Sequence, residues 1–309
     1  MSKHSNQGDD NLRYDNKVAV ITGAGHGLGR SHALLLSSLG AKVVINDLGG
    51  SVSGDGSDET VAESVVNEIR QAGGEATANG DSVTDGDKIV QCALDNFGRV
   101  DIVVNNAGIL RDKSFHKMSD ADWDQVYEVH LHGAFKVSRA AFPHMREQGY
   151  GKFVMTTSAA GIYGNFGQAN YSSSKLALHG LAQTIAIEGR TKGIKANTIA
   201  PIAGSRMMGT VMDQEAMDLL RPAAISPLVA WLCHSDCDAS GQLFEVGAGW
   251  VSRVRWERST GAYFSPEGFP PDDVADAWDK INDFTDATHP VDGTETMAAI
   301  YANPHRKTK

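Results

Sequence analysis

Residues 17–29 read KVAVITGAGHGLG, and this stretch decides the fold. KVAVIT (17–22) is a short run of apolar, mostly β-branched residues, which reads as a strand buried on both faces. It runs without a linker into glycines at 23, 25, 27 and 29, and helix-period residues follow over 27–39. Glycine allows a tight turn and lets backbone N–H groups approach an anion, and the helix after it aims its positive end at the same point. Glycines also make ordinary turns, so the strand–turn–helix context carries the reading, not the triad alone. Gly23, Gly27, Leu28 and Gly29 are therefore candidates for holding a dinucleotide pyrophosphate.

Outward from this turn the same rhythm repeats. AKVVIND (41–47), DIVVNNA (101–107), GKFVMTT (151–157), KANTIAP (195–201) and QLFEV (242–246) read as further buried strands. Helix-period stretches at 27–39, 58–72 and 85–97 lie between them. Strand–helix alternation at this spacing implies a parallel sheet with helices on both faces. Residues 49–58, GGSVSGDGSD, form a longer loop than a plain connection needs. The expected organisation is a flexible N-terminus (1–16), one nucleotide-binding domain (17–250) and a C-terminal extension (251–309). That extension holds one helix-like piece near 272–284 and is expected to pack on the same domain or on a neighbouring subunit.

Composition narrows the partners. The 309 residues carry a formal charge of −10, so generic nucleic-acid or anionic-membrane binding is not expected. No apolar run approaches a membrane span. Three cysteines with no metal-type spacing suit a reducing compartment. A polar N-terminus, and a C-terminus lacking a peroxisomal tripeptide, lead to a cytoplasmic expectation.

Asp47 ends the second strand, 18 residues after Gly29. A carboxylate there accepts hydrogen bonds from an adenosine ribose and repels a 2′-phosphate, which favours NAD over NADP. It would also serve as a turn aspartate before Gly49-Gly50. Tyr171 and Lys175 form a YxxxK pair, one helical turn apart on one face. A cation beside a phenol stabilises the phenolate, as a proton-transferring residue requires. Ser158 lies 13 residues upstream, just beyond a strand end where ligands gather in open parallel sheets. Helix capping is its bland alternative.

Together, TGxxxGxG, NNAG (105–108), a serine 13 before YxxxK, and Pro201 after the sixth strand resemble the short-chain dehydrogenase/reductase family over about 17–250. NDLGG (46–50), NNAGILRDKSF (105–115), GIYGNFGQANYSSSK (161–175) and LFEVGAGW (243–250) are more similar to one branch. That branch holds the (3R)-3-hydroxyacyl-CoA dehydrogenase units of peroxisomal type 2 multifunctional enzymes, also known as 17β-hydroxysteroid dehydrogenases. The resemblance implies an α/β fold with a doubly wound, parallel, seven-stranded Rossmann sheet and a C-terminal extension. It implies NAD-dependent oxidation of a secondary alcohol, a (3R)-3-hydroxyacyl-CoA first and a steroid alcohol second. Tyr171 would be the general acid/base. Lys175 would bind the nicotinamide ribose, and Ser158 the substrate oxygen. Asn106, with Ala107 and Gly108, would support the cofactor, Asp81 and Val83 would flank the adenine, and Pro201 would contact the nicotinamide end.

Two positions depart from the family pattern. His130 stands where many members carry a relay asparagine; it either joins the relay or packs as a core histidine. With His132 it invites a metal reading, which a missing third ligand argues against. Ile202 follows Pro201 where glycine is common. Arg206 and Met207 open a methionine-rich segment, with Met208, Met212 and Met217, suited to an acyl chain or sterol body, or simply to core packing. Cations for a CoA handle are sought at Arg206, Arg111 and Lys113, then at Arg253, Arg255 and Arg258. A homo-oligomer, dimer or tetramer, is expected through helices at 119–146 and 168–192, with Phe135, Phe142, Leu176, Leu178 and Leu181 offering apolar surface.

Overall fold

The computed structural model describes residues 12–204 and 219–305. The chain divides into two compact units, with the boundary after Arg253. The first unit alternates strands and helices: β1 (Val18–Thr22), α1 (Gly27–Ser38), β2 (Lys42–Asn46), α2 (Thr60–Gln71), β3 (Ala76–Asn79), α3 (Gly86–Phe97) and β4 (Ile102–Asn105). Then come α4 (Asp120–Tyr127), α5 (Gly133–Gln148), β5 (Gly151–Thr156), α6 (Ala159–Tyr163), α7 (Ala169–Gly189), β6 (Ile194–Pro201), a helix at Ser226–Cys233, β7 (Leu243–Gly247) and β8 (Trp250–Val254). The eight strands form one sheet in the order β3-β2-β1-β4-β5-β6-β7-β8.

β1 pairs in parallel with both β2 and β4. The winding direction reverses there, which opens a crevice at the carboxyl ends of the strands. Every residue of β1, β4 and β5 is buried, as a sheet covered on both faces demands. Leu36, Val65 and Val229 pack with Ile21 and Ile199 in one core layer. Ile89, Val137 and Leu178 pack with Val20 and Phe153 in the other.

The sheet has eight strands rather than seven. Ala248 (φ 47°) and Gly249 (φ 81°) both adopt positive φ, the pattern of a two-residue hairpin, and this returns the chain as β8 where the strand rhythm was expected to stop. β3 escapes notice in the sequence because Ala-Thr-Ala-Asn has no apolar run; its pairing with Val43–Asn46 makes it a strand. Within the stretch expected to be a flexible N-terminus, one side chain is anchored. Tyr14 is buried, and its hydroxyl donates to the carbonyl of Ala230.

In the second unit, helices run over Pro271–Asp276, Trp278–Ile281 and Thr294–Tyr301. Arg258 and Thr288 form an isolated antiparallel bridge. None of its described residues is buried. Among the described residues no helix is long and apolar enough to cross a membrane.

Candidate active site

At the nucleotide end, the turn after β1 is tied to the end of β4. The Thr22 hydroxyl accepts the N–H groups of Asn106 and Ala107, both at 3.1 Å. The Asn106 amide donates to the carbonyls of Thr22 and Gly23, both at 3.0 Å. A Cβ at Gly29 would lie 2.2 Å from the Gly23 carbonyl oxygen, so only glycine lets α1 approach the turn this closely. The Asp47 carboxylate accepts the N–H of Gly25 at 2.7 Å and of Gly49 at 2.8 Å. The turn-aspartate reading and the ribose reading thus coexist, because a carboxylate has acceptor sites to spare.

Gly23, Asp47, Asp81, Val83, Asn106, Ala107 and Gly108 line one cleft of about 260 Å³. Gly27, Leu28 and Gly29 instead begin α1, whose N-terminus has no side-chain cap. Uncapped N–H groups at a glycine turn beside an acidic, half-apolar cleft suit the pyrophosphate and adenosine of a dinucleotide.

At the other end of the crevice, Ser158, Tyr171 and Lys175 come together. Ser158 is the N-cap of α6, accepting the Ala160 N–H at 3.2 Å, so its capping alternative holds too. It also lies near enough to Tyr171 to lower the phenol's pKa. The Lys175 ammonium donates to the Thr156 carbonyl at 2.7 Å and lies 5.5 Å from the Tyr171 ring centre. Burial pushes Lys175 down to about 7. Burial also raises Tyr171 above the ordinary phenol value, although Ser158 pulls the other way. In the protein alone the phenol is thus shifted opposite to the activation expected from the spacing of Tyr171 and Lys175, because desolvation dominates.

His130 sits in a π-helical segment, Glu128–His132, between α4 and α5. Such bulges gather at functional sites. Its ring stands edge-on to Tyr171 with centres 5.3 Å apart. Nε2 meets the Ile109 N–H at 2.9 Å and its carbonyl at 2.8 Å, while the buried Nδ1 has no hydrogen-bond partner. A Cβ at Gly108 would lie 2.3 Å from this ring, so the last glycine of NNAG makes room for His130. Burial, then the Lys175 cation, hold His130 well below the usual imidazole range.

Asn170 is a residue the sequence reading missed. It is fully buried, and its amide donates to the carbonyls of Arg111 at 3.1 Å and Asp122 at 3.0 Å. Its side-chain oxygen accepts the Tyr171 N–H at 2.8 Å. One amide thus anchors the start of α7 to the loop after β4 and to α4. Its place beside Tyr171 was the only available signal, since nothing local distinguishes it from a capping asparagine.

Pro201 ends β6 opposite Val246, and the Ile202 N–H continues the ladder to the Val246 carbonyl at 2.7 Å. Arg206 and Met207, with Met208, Met212 and Met217, lie outside the described residues. Arg111, sought as a CoA cation, is already engaged by the Ser53 carbonyl at 3.0 Å and by Asp55 and Asp122 at 3.2 and 3.7 Å. Of the proposed subunit-contact residues, Phe135 and Leu176 are exposed, whereas Leu178 belongs to the core and Phe142 stacks on Phe153.

A doubly wound sheet, a glycine turn and a serine–tyrosine–lysine cluster around a buried ammonium define a nucleotide-dependent dehydrogenase. The short chain dehydrogenase family matches residues 17–217, and the chain belongs to that family of oxidoreductases. It is 53% identical over 297 residues to the peroxisomal multifunctional enzyme type 2 of Mus musculus, covering 96% of this chain but 40% of that protein. The full-length structure of the Drosophila melanogaster type 2 enzyme superposes with a TM-score of 0.81 at 42% identity, over 94% of this chain and 49% of the other. A 7α-hydroxysteroid dehydrogenase complexed with NADH and 7-oxo glycochenodeoxycholic acid superposes at 0.70 with 32% identity, covering 79% and 97%. The chain thus spans less than half of both multifunctional enzymes it matches here, and its family uses a nicotinamide cofactor.

Proposed function

We infer that the protein oxidises the 3-hydroxyl of a (3R)-3-hydroxyacyl-CoA to the ketone, with NAD as the preferred cofactor. The observation that carries the chemistry is the cluster of half-buried Ser158 and Tyr171 with buried Lys175 at the crevice end opposite Asp47. A bound nicotinamide supplies the two-electron acceptor. Ser158 orients the substrate oxygen, and Tyr171 takes its proton. Lys175 holds positive charge against the oxygen as negative charge develops. Asn170 positions Tyr171, and His130 acts as a neutral hydrogen-bonding partner.

The substrate reading rests on the segments shared with the multifunctional-enzyme branch. The likeness to a solved 7α-hydroxysteroid dehydrogenase supports a steroid alcohol as second substrate. NADH formation measured with a hydroxyacyl-CoA and with a hydroxysteroid decides between them; turnover of the steroid alone overturns the first reading. The NAD preference rests on Asp47. Comparable kcat/KM for NAD and NADP in the wild type would sink it, and Asp47→Asn should narrow the gap.

A homo-oligomer, most simply a dimer, fits the exposed Phe135 and the stacked Trp123 and Tyr127 on α4 and α5. A 33.0 kDa species in light scattering at micromolar concentration would refute it. The free thiols Cys92, Cys233 and Cys237 fit a reducing interior, and the cytoplasmic reading stands beside a relative named as peroxisomal. Imaging of the full chain in its own cell separates the two compartments.

A further inference from the structure

The loop between β2 and α2 is longer than a connection needs, and its two ends meet. The Asp58 N–H donates to the Leu48 carbonyl at 3.0 Å, and a Cβ at Gly49 would lie 2.1 Å from the Asp58 carbonyl oxygen. Residues 49–58 therefore leave and return at one point, the form of a compact Ω-loop. Within it the Ser51 N–H donates to the Asp55 carbonyl and the Gly54 N–H to the Ser51 carbonyl, both at 2.9 Å. Gly50, Ser51, Val52 and Gly54 line the same cleft as Asp47 and Asp81. The loop is thus one wall of the cleft that suits the adenosine half of a dinucleotide.

Asn106, Ala107, Gly108 and Ile109, after β4, also line that cleft, and the loop is fastened to the residues that follow them. The Leu110 N–H donates to the Val52 carbonyl at 3.0 Å. Arg111 Nε donates to the Ser53 carbonyl at 3.0 Å, and Nη2 meets Asp55 at 3.2 Å. Arg111 Nη1 lies 3.7 Å from Asp122 of α4, and both of those side chains are half-buried. Three nitrogens of one rigid fork thus take three partners, which the single ammonium of a lysine cannot reproduce. The backbone carbonyl of the same residue accepts the Asn170 amide, next to Tyr171. Arg111 therefore stands where the wall of the cofactor cleft joins the helix of the catalytic tyrosine.

We propose that residues 50–55 form a strap across the adenosine half of the cofactor, and that Arg111 is the positioning residue that fastens it. A strap held in place before the ligand arrives spares binding the entropy of ordering that wall. The inference rests on the dinucleotide reading of the cleft. It gives Arg111 a role in cofactor binding through the strap.

The test titrates ADP-ribose, which carries the adenosine half without the nicotinamide, into the full chain by calorimetry. Arg111→Lys keeps the charge and loses the fork. It should raise the Kd of ADP-ribose about tenfold, the scale of one hydrogen bond to a charged group. NADH should weaken by the same factor, because the two ligands share the half that the strap covers. Gly54→Ala strains the strap at φ 88° and brings a Cβ to 3.1 Å from Ile109, leaving Arg111 intact, and should have the same effect. In both variants without ligand, hydrogen exchange at the Leu110 amide should quicken, since its partner is the strap carbonyl of Val52. Thermal melts confirm that each variant folds. A lower melting temperature with unchanged ADP-ribose affinity would make Arg111 a structural ion pair and overturn the proposal. Unchanged exchange at Leu110 in Arg111→Lys would also overturn it, because the strap would be held without the fork. A wild-type protein that binds neither ADP-ribose nor NADH overturns the dinucleotide reading and the strap with it.

Discussion

At the nucleotide end of the crevice the structure is made of backbone. Thr22, Gly23, Gly25 and Gly49 present carbonyls and N–H groups that Asn106 and Asp47 tie in place. At the catalytic end it is made of side chains, with Lys175 and His130 buried and Tyr171 half-buried. Lys175, Tyr171 and His130 all shift in the direction that burial dictates. Geometry limits the first region and desolvation the second. The two regions should therefore fail differently when disturbed.

The largest expected effect is at the catalytic end. Tyr171→Phe removes one hydroxyl and should lower turnover by about 10²–10⁴-fold, the range for a lost general acid/base, while NADH titration shows unchanged affinity. Activity within a factor of ten of wild type would remove Tyr171 from the centre of the mechanism.

Gly29→Ala attacks the nucleotide end. Its Cβ would meet the backbone carbonyl of Gly23 at 2.2 Å, and a carbonyl cannot rotate away as a side chain could. We expect a loss of about 1–3 kcal/mol of stability, typical of overpacking, together with weakened dinucleotide binding. Calorimetric binding and a melt measure both; wild-type values would mean that the turn is looser than its contacts indicate.

Proton linkage isolates the desolvation at Lys175. Its pKa falls from 10.5 to about 7 on folding, so the unfolded chain binds more protons than the folded one between those values. The cost of burying this ammonium is absent above pH 10.5 and grows as pH falls to 7, so stability rises with pH across that window. The cofactor-free protein should gain about 2 kcal/mol from Lys175 between pH 7 and 9, and Lys175→Met should remove that slope. Denaturant midpoints in both proteins test it, and identical slopes would refute it.

His130→Ala should have the smallest effect. Because His130 is neutral throughout the physiological range, its loss should lower turnover by less than about tenfold and leave the midpoint of the pH–rate profile in place. A displaced midpoint would restore an ionising relay role.

The same contrast explains what could be read early. Val18–Thr22 and the glycines after it state strand, turn and helix in consecutive residues, and Asp47 follows at a readable interval. β3 could not be read this way, because Ala76–Asn79 becomes a strand only beside β2. Nor could β8, which depends on two positive φ angles at Ala248 and Gly249. Asn170 gave no signal beyond its place next to Tyr171, because its other partners, Arg111 and Asp122, lie in distant segments of the chain. Arg111 looked like a free cation until the loop carrying Asp55 closed on it.

The sequence by itself determined the doubly wound sheet, the family and the Ser158–Tyr171–Lys175 set, because local periodicity and fixed spacing encode them. Only the tertiary structure decided the direction of the pKa shifts in that set and the partners of His130, Asn170 and Arg111. Those properties follow from burial and from contacts between residues distant in sequence, and neither is written in the order of nearby residues.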